Sequence, residues 1–212
     1  MASRKGCILF DLDGTLIDSR LDLADAVNLT RRHFGLEPIA IETVVSHLGD
    51  GARVLMERCF AEAESLVDKA VPLYKAYYHE RMLDKTSLYP GVAEALPVLH
   101  ANGWKLGVVT NKPAEHCREI LRHFGLDVFF AEIVGGGDEF PLKPDPSSAM
   151  YILERTASKP EKSWMVGDNH TDMATGRRAG MRRCFARYGF GQLLVESFDI
   201  EISFFPELLT KL

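Results

Sequence analysis

Asp11 and Asp13 stand two apart in the stretch FDLDGTLIDS, Phe10 to Ser19, directly after the apolar run Cys7, Ile8, Leu9, Phe10. That run reads as a short buried strand. Side chains two apart on an extended backbone leave from the same side, so both carboxylates are predicted to project together from the strand's carboxyl end. Gly14 lets the chain bend there, and Thr15 can cap or turn. Three more polar groups follow apolar runs further on: Thr110 with Asn111, Lys143 in PLKPDP, and Asp168 with Asp172 in GDNHTDM. Parallel strands would bring all four groups to one edge of one sheet, the edge where open α/β sheets bind ligands.

Together these residue types suit phosphoryl transfer. A phosphate dianion repels an attacking carboxylate, so a Mg²⁺ ion is needed between them, held by one or two carboxylates and the substrate phosphate itself. Asp11 and Asp168 would supply those carboxylates. With a reference pKa of about 4, Asp11 is ionised at neutral pH and needs no base to act as a nucleophile. Asp13 beside it can hand a proton to the leaving alkoxide and later take one from water. Thr110 and Asn111, with nearby backbone N–H groups, are candidates to hold the transferring oxygens, and Lys143 adds a positive charge near Asp11. Asp172, one helical turn beyond Asp168, is placed to bind a water on the metal or to orient Lys143. Each of these residues also has an ordinary role in a turn, a loop or a helix cap. Their joint occurrence after successive strands is what favours a site.

The elements that must position them alternate in character along the chain. After the opening motif, Ser19 with Asp22 forms an acidic variant of a capping pattern ahead of a helix with Leu23, Val27 and Phe34 on its apolar face. Helical periodicity continues through Ile41 to Leu48, breaks at Gly49, Asp50, Gly51, and resumes over Arg53 to Ala63 and Ser65 to Leu83, where Pro72 implies a later start or a kink. No strand is predicted between Ile17 and Tyr89. The period then switches to alternating helix and strand, the pattern of a parallel sheet covered on both faces. Strands are predicted at Leu106 to Thr110, Glu132 to Val134, Trp164 to Val166 and Arg183 to Tyr188, with a last one around Phe198 to Ile202. The fold expected is therefore α/β, with a Rossmann-like parallel core from residues 1–16 and 90–212 and an inserted helical cap from residues 17–89.

With 212 residues, 46% of them hydrophobic and 26% charged, the chain can bury a substantial core. A net charge of −5 argues against a sequence-independent grip on nucleic acid or anionic lipid. Cys7, Cys59, Cys117 and Cys184 are scattered and form no CxxC pair, so they read as reduced thiols of a cytosolic protein. Only four apolar residues separate Lys5 from Asp11, too few for a signal peptide, and no run approaches a membrane span. The expected partner is a small phosphorylated metabolite in the cytoplasm, with the protein a monomer or homodimer.

FDLDGTLIDS, VVTNK, LKPDP and VGDNHTDM resemble the four motifs of the haloacid dehalogenase superfamily, and DSRLDLADAVN with LGDGARVLMER resembles its phosphoglycolate phosphatase group. The resemblance implies a small helical cap, hydrolysis through an aspartyl-phosphate on Asp11, and Asp13 as acid/base with its backbone carbonyl on Mg²⁺. Asp168 is implied as the other metal ligand, and Thr110 and Lys143 as phosphoryl contacts. Asp13 argues against dehalogenase chemistry, which lacks a second acid in the first motif. The absence of histidine from Arg20 to Arg32 argues against related mutases. The expected substrate is 2-phosphoglycolate, with other sugar phosphates or nucleotides as alternatives. Arg53, directly after the Gly49 to Ala52 break, is the candidate to bind the substrate's carboxylate when the cap closes.

A receiver module that holds phospho-Asp as a signal uses similar residue types. Its order of motifs, its shorter length and its lack of an inserted cap fit this chain less well. His116 and His123 read as surface histidines without a completing metal ligand, and His170 receives no role.

Overall fold

In the computed structural model, which describes residues 5–212, the chain begins with β1 (Cys7–Phe10) and β2 (Ile17–Asp18). Four helices follow: α1 (Arg20–His33), α2 (Ile41–Ser46), α3 (Ala52–Cys59) and α4 (Val67–Arg81). The chain returns through β3 (Ser87–Leu88) to α5 (Val92–Ala101), β4 (Lys105–Pro113), α6 (Ala114–His123) and β5 (Glu132–Gly136). It continues with α7 (Ser147–Arg155), β6 (Trp164–Gly167), α8 (His170–Arg178), β7 (Arg182–Ala186), β8 (Ile200–Ile202) and α9 (Leu208–Lys211).

Six strands form one sheet in the order β5-β4-β1-β6-β7-β8, every pairing parallel. β1 sits between β4 and β6 and is fully buried on both faces. Its alternation divides the core. Ile8 and Phe10 join the larger cluster, with Leu96 and Phe205, whereas Cys7 and Leu9 join a second cluster with Ile152 and Met165 on the other face. Each fully buried aliphatic or aromatic side chain contributes roughly 1.5–3 kcal/mol of transfer free energy, which makes an apolar central strand worth more than its length suggests. The chain crosses from β5 back over β1 to β6, so the sheet's switch point lies at the carboxyl end of β1. Asp11 and Asp13 emerge there.

The helices of residues 20–81 pack on one another through α1 against α4, with Leu23, Val27, Tyr74 and Tyr78 buried between them. α4 runs through Pro72 without breaking. A 3-10 turn over Ala61–Leu66, with Ala63 outside helical geometry, takes up the irregularity ahead of it.

Two local expectations are corrected. The stretch from Ile17 to Tyr89 does contain strand: Ile17 pairs with Leu88 and Asp18 with Ser87, an antiparallel ribbon at the two chain crossings. Two-residue strands leave no readable alternation, and the pairing exists only because the ends of the insertion meet. Ser19 and Asp22 also do not form a side-chain cap on α1. The Ser19 hydroxyl instead donates to Asp13 Oδ1 at 2.5 Å, and Asp22 Oδ2 accepts from the N–H groups of Lys85 and Thr86. Buried partners from distant parts of the chain displaced the local ones.

Candidate active site

β1 delivers Asp11 and Asp13 to the carboxyl edge of the sheet. Gly14 follows with φ +84°, and a Cβ there would stand 2.0 Å from an Asp168 oxygen, so only glycine lets the two motifs approach this closely. Asp168 leaves the end of β6. Its Oδ2 accepts from the backbone N–H groups of Phe190 and Gly191 at 3.0 and 2.7 Å, and its Oδ1 accepts from the Thr15 hydroxyl at 3.3 Å. α8 starts immediately afterwards with a reciprocal cap: Asn169 Oδ1 accepts from Thr171 N–H, and Asp172 Oδ2 accepts from Asn169 N–H. That cap presents the other Asp172 oxygen to Lys143.

Lys143 comes from the PLKPDP loop, as the prolines predict. Its ammonium lies 2.8 Å from Asp11 Oδ1 and 2.6 Å from Asp172 Oδ1, with all three side chains largely buried. Burial alone would lower its pKa. The two carboxylates outweigh that effect and raise it above the ordinary lysine value, so the charge is permanent. Of the two roles expected for Asp172, the geometry displays the orientation of Lys143.

Oxygens of Asp11, Asp168 and Asp172 lie within 4.8 Å of one another, all buried. Burial first, then the charges of Asp172 and Asp11, hold the Asp168 carboxyl well above the usual carboxylate range. Burial likewise pushes Asp172 up to about 7, despite Lys143. Lys143 and Lys112 leave two of the four site carboxylates uncompensated. A buried acid cluster of this kind is relieved by a divalent cation bound through hard oxygens, so the donor set fits Mg²⁺.

Thr110 and Asn111 also reach the site, through β4. Thr110 lines the cleft beside Asp11, its hydroxyl accepting from Lys112 N–H. The Asn111 side chain is committed elsewhere. Its Oδ1 accepts from Lys143 N–H at 2.7 Å, and its Nδ2 donates to the carbonyls of Lys143 and Gly49 at 3.1 and 2.9 Å. It therefore fixes the lysine loop and ties the Gly49 turn of the helical insertion to the core.

Arg53 is not brought to this cleft. It is exposed on α3, paired with Glu57 at 3.1 Å and Asp68 at 3.0 Å, because the start of α3 turns it outward while Ala52 and Leu55 face the site. The residue missed by the sequence reading is Lys112. Its ammonium sits 2.8 and 2.9 Å from the two oxygens of Asp13 and 4.4 Å from the ring centre of Tyr78. Thr110 and Lys112 are two apart on β4, so the alternation that joined Asp11 to Asp13 carried the signal for this one too.

The expectation of a surface His116 is corrected. It is buried at the cleft wall, stacked on His79 and tilted against Tyr78, with Nδ1 lacking a partner among the described residues. Burial, then the charges of Lys112 and His79, push it down to about 4, so it is neutral at pH 7. Its ring is covered by Tyr78 and His79 of α4, a long-range contact. His123 is exposed, as expected. His170 Nε2 lies 3.7 Å from Asp50 Oδ1.

The cleft holds about 730 Å³ of space, partly open to solvent. Its floor is Asp11, Asp13 and Asp168; Leu23, Leu48, Leu55, Tyr74 and Tyr78 form an apolar wall. Fold and site together describe a parallel α/β core whose acidic cleft is flanked by the helices of residues 20–81, and comparison with known proteins agrees. Residues 8–186 match the model of the haloacid dehalogenase-like hydrolase family, and the chain belongs to that family. A phosphoglycolate phosphatase of Aquifex aeolicus is 36% identical over 205 residues, 97% of this chain and 95% of that protein. One from Haemophilus influenzae is 35% identical over 190 residues, 85% of each. The crystal structure of a predicted phosphoglycolate phosphatase from Haemophilus somnus superposes with a TM-score of 0.91 at 30% identity, covering 99% of each chain. These relatives place the chain among the phosphoric monoester hydrolases. Among the described residues, no helix is long and apolar enough to cross a membrane.

Proposed function

We propose that this protein is a Mg²⁺-dependent phosphatase that hydrolyses 2-phosphoglycolate through an aspartyl-phosphate on Asp11. The observation that carries the reading is the convergence of Asp11, Asp168 and Asp172 around one point, with Lys143 salt-bridged to the nucleophile. Asp11 and Asp168, with the backbone carbonyl of Asp13, would hold the ion, which offsets the charge repulsion between phosphate and nucleophile. Asp11 attacks phosphorus through the oxygen that is not shared with Lys143 and Leu12 N–H. Lys143 and the Thr110 hydroxyl hold the phosphoryl oxygens. Asp13, half-buried beside the cleft, gives its proton to the leaving alkoxide and then deprotonates the water that attacks the acyl phosphate. Residues 17–89 act as a cap whose Leu48, Leu55 and Tyr74 exclude bulk water from the reacting groups.

The names of the relatives suggest which phosphomonoester the cleft takes. The test is a panel of phosphomonoesters with Mg²⁺, phosphate release as readout and kcat/KM as ranking. We expect 2-phosphoglycolate to lead it. A ranking led by nucleotides or hexose phosphates would overturn the substrate, and no turnover of any phosphomonoester would overturn the reaction.

A further inference from the structure

Lys112 is an unusual side chain for the place it occupies. Its side chain is only 2% exposed, it stands at the floor of the cleft, and neither phosphoryl contact nor metal holding requires it. Among the described residues its hydrogen-bond acceptors are the two oxygens of Asp13, and the face of Tyr78 covers another side. An ammonium group has three N–H donors; two serve Asp13, and the third has no hydrogen-bond acceptor among the described residues.

We infer that Lys112 is the residue that recognises the substrate's carboxylate, and that the substrates preferred are those with a carboxylate on the carbon next to the phosphate ester oxygen. The inference rests on the phosphatase reading above. Asp13 must touch the ester oxygen to protonate it. In an α-(phosphonooxy) acid the carboxylate hangs from the carbon bonded to that same oxygen. A group held so close to Asp13 lies within about one hydrogen-bond length, ~3 Å, of the cation paired with Asp13.

The other cations near the cleft serve this role less well. Lys143 is shared between Asp11 and Asp172, and its third donor is the one assigned above to the phosphoryl group. Arg53 faces outward between Glu57 and Asp68. His116 is neutral at pH 7. Lys75 is on the cleft wall but exposed, where water weakens its attraction. Lys112 is screened from solvent by Tyr78, so a carboxylate meeting it forms a charge-assisted bond in a poorly hydrated pocket.

The experiment compares 2-phosphoglycolate with glycolamide phosphate, the isostere in which a neutral amide replaces the carboxylate, on wild-type protein and on Lys112→Met, Lys112→Arg and Lys75→Met. Wild type is expected to prefer the acid by about 10- to 100-fold in kcat/KM, the range of a charged hydrogen bond. In Lys112→Met the acid and the amide should be turned over equally, within about threefold. Lys112→Arg should recover part of the preference, and Lys75→Met should keep it. Loss of Asp13 alignment would slow both substrates together, so the ratio isolates recognition from positioning. A Lys112→Met protein that keeps the wild-type ratio, or a Lys75→Met protein that loses it, would overturn the inference. Efficient wild-type hydrolysis of 2-phosphoglycolate without preference over the amide would overturn it as well and leave the phosphatase reading intact. Failure of wild type to hydrolyse 2-phosphoglycolate at all would instead strike the reading beneath it.

Discussion

Lys143 and Asp172 form an ion pair of 2.6 Å in which both side chains are almost wholly buried. The remaining Asp172 oxygen caps α8, so one carboxylate links Lys143 to the helix that follows Asp168. Removing one member of a buried pair costs roughly 3–5 kcal/mol, because the partner's charge is left desolvated. Asp11 still faces Lys143, which puts Asp172→Ala at the low end of that range. Urea unfolding should show a lower midpoint with an unchanged slope, and kcat should fall with it as Lys143 loses its aim. Wild-type stability in Asp172→Ala would mean that the pair contributes nothing.

Asp11→Asn separates nucleophilicity from structure. Leu12 N–H and Lys143 both donate to Asp11 Oδ1, and an amide oxygen can accept both, so the fold should survive. Turnover should drop by at least about 10³, the scale seen when a nucleophile is removed. Intact-mass spectra of rapidly quenched Asp13→Ala with an aryl phosphate should show an added phosphoryl group, absent when Asp11 is also changed. A phosphoryl adduct on the Asp11→Asn protein would relocate the nucleophile.

Metal-free protein carries Asp168 with a raised pKa. Above pH ~4 the unfolded chain ionises this carboxyl while the folded chain resists, so it costs stability increasingly as the pH rises through the folded-state value. Asp168→Asn removes that cost. The amide oxygen can accept from Phe190 and Gly191 N–H, and the amide nitrogen can donate to Thr15. Chelated Asp168→Asn should therefore melt above chelated wild type at pH 7.5, with the gap narrowing at pH 5. Added Mg²⁺ should raise the wild-type Tm and leave the variant unmoved. Equal stabilisation of both by Mg²⁺ would place the ion elsewhere.

The Gly49 turn is held against the core by Asn111 Nδ2, and a Cβ at Gly49, whose φ is +114°, would stand 2.5 Å from Asn169 Nδ2. Backbone strain of this kind costs about 1–3 kcal/mol, which converts to about a tenfold or greater loss of kcat/KM if closure depends on it. Gly49→Ala and Asn111→Ala should each show such a loss. Because both break one contact, the double variant should be within about twofold of Asn111→Ala. Full additivity would show that the two residues act independently.

Arg53→Ala should change kcat/KM on 2-phosphoglycolate by less than about twofold, as expected for an exposed pair. A selective loss of one to two orders of magnitude on that substrate would mean that Arg53 swings inward during turnover, away from the position it occupies here.

Much of the architecture is local in origin and was therefore legible. Cys7 to Phe10 is apolar at every position because β1 is buried on both faces, and the switch from helical to alternating periodicity after Tyr89 follows from a sheet that needs helices on both sides. Asp11, Asp13, Lys143 and Asp168 stand at strand exits or in a proline-stiffened loop, where residue type and position coincide. What only the tertiary structure decided concerns side chains whose partners lie far away in sequence. Ser19 and Asp22 have the types of a helix cap, yet burial gave them to Asp13 and to the β3 approach. Asn111 serves Gly49 and Lys143 rather than free space in the cleft. Arg53 turns outward because helical rotation places Ala52 and Leu55 on the inner face, and a rotation cannot be read without the surface it packs on. Lys112 finds Asp13 across 99 residues of sequence; its alternation with Thr110 was visible, but the carboxylate that makes it a buried cation was brought there by the fold.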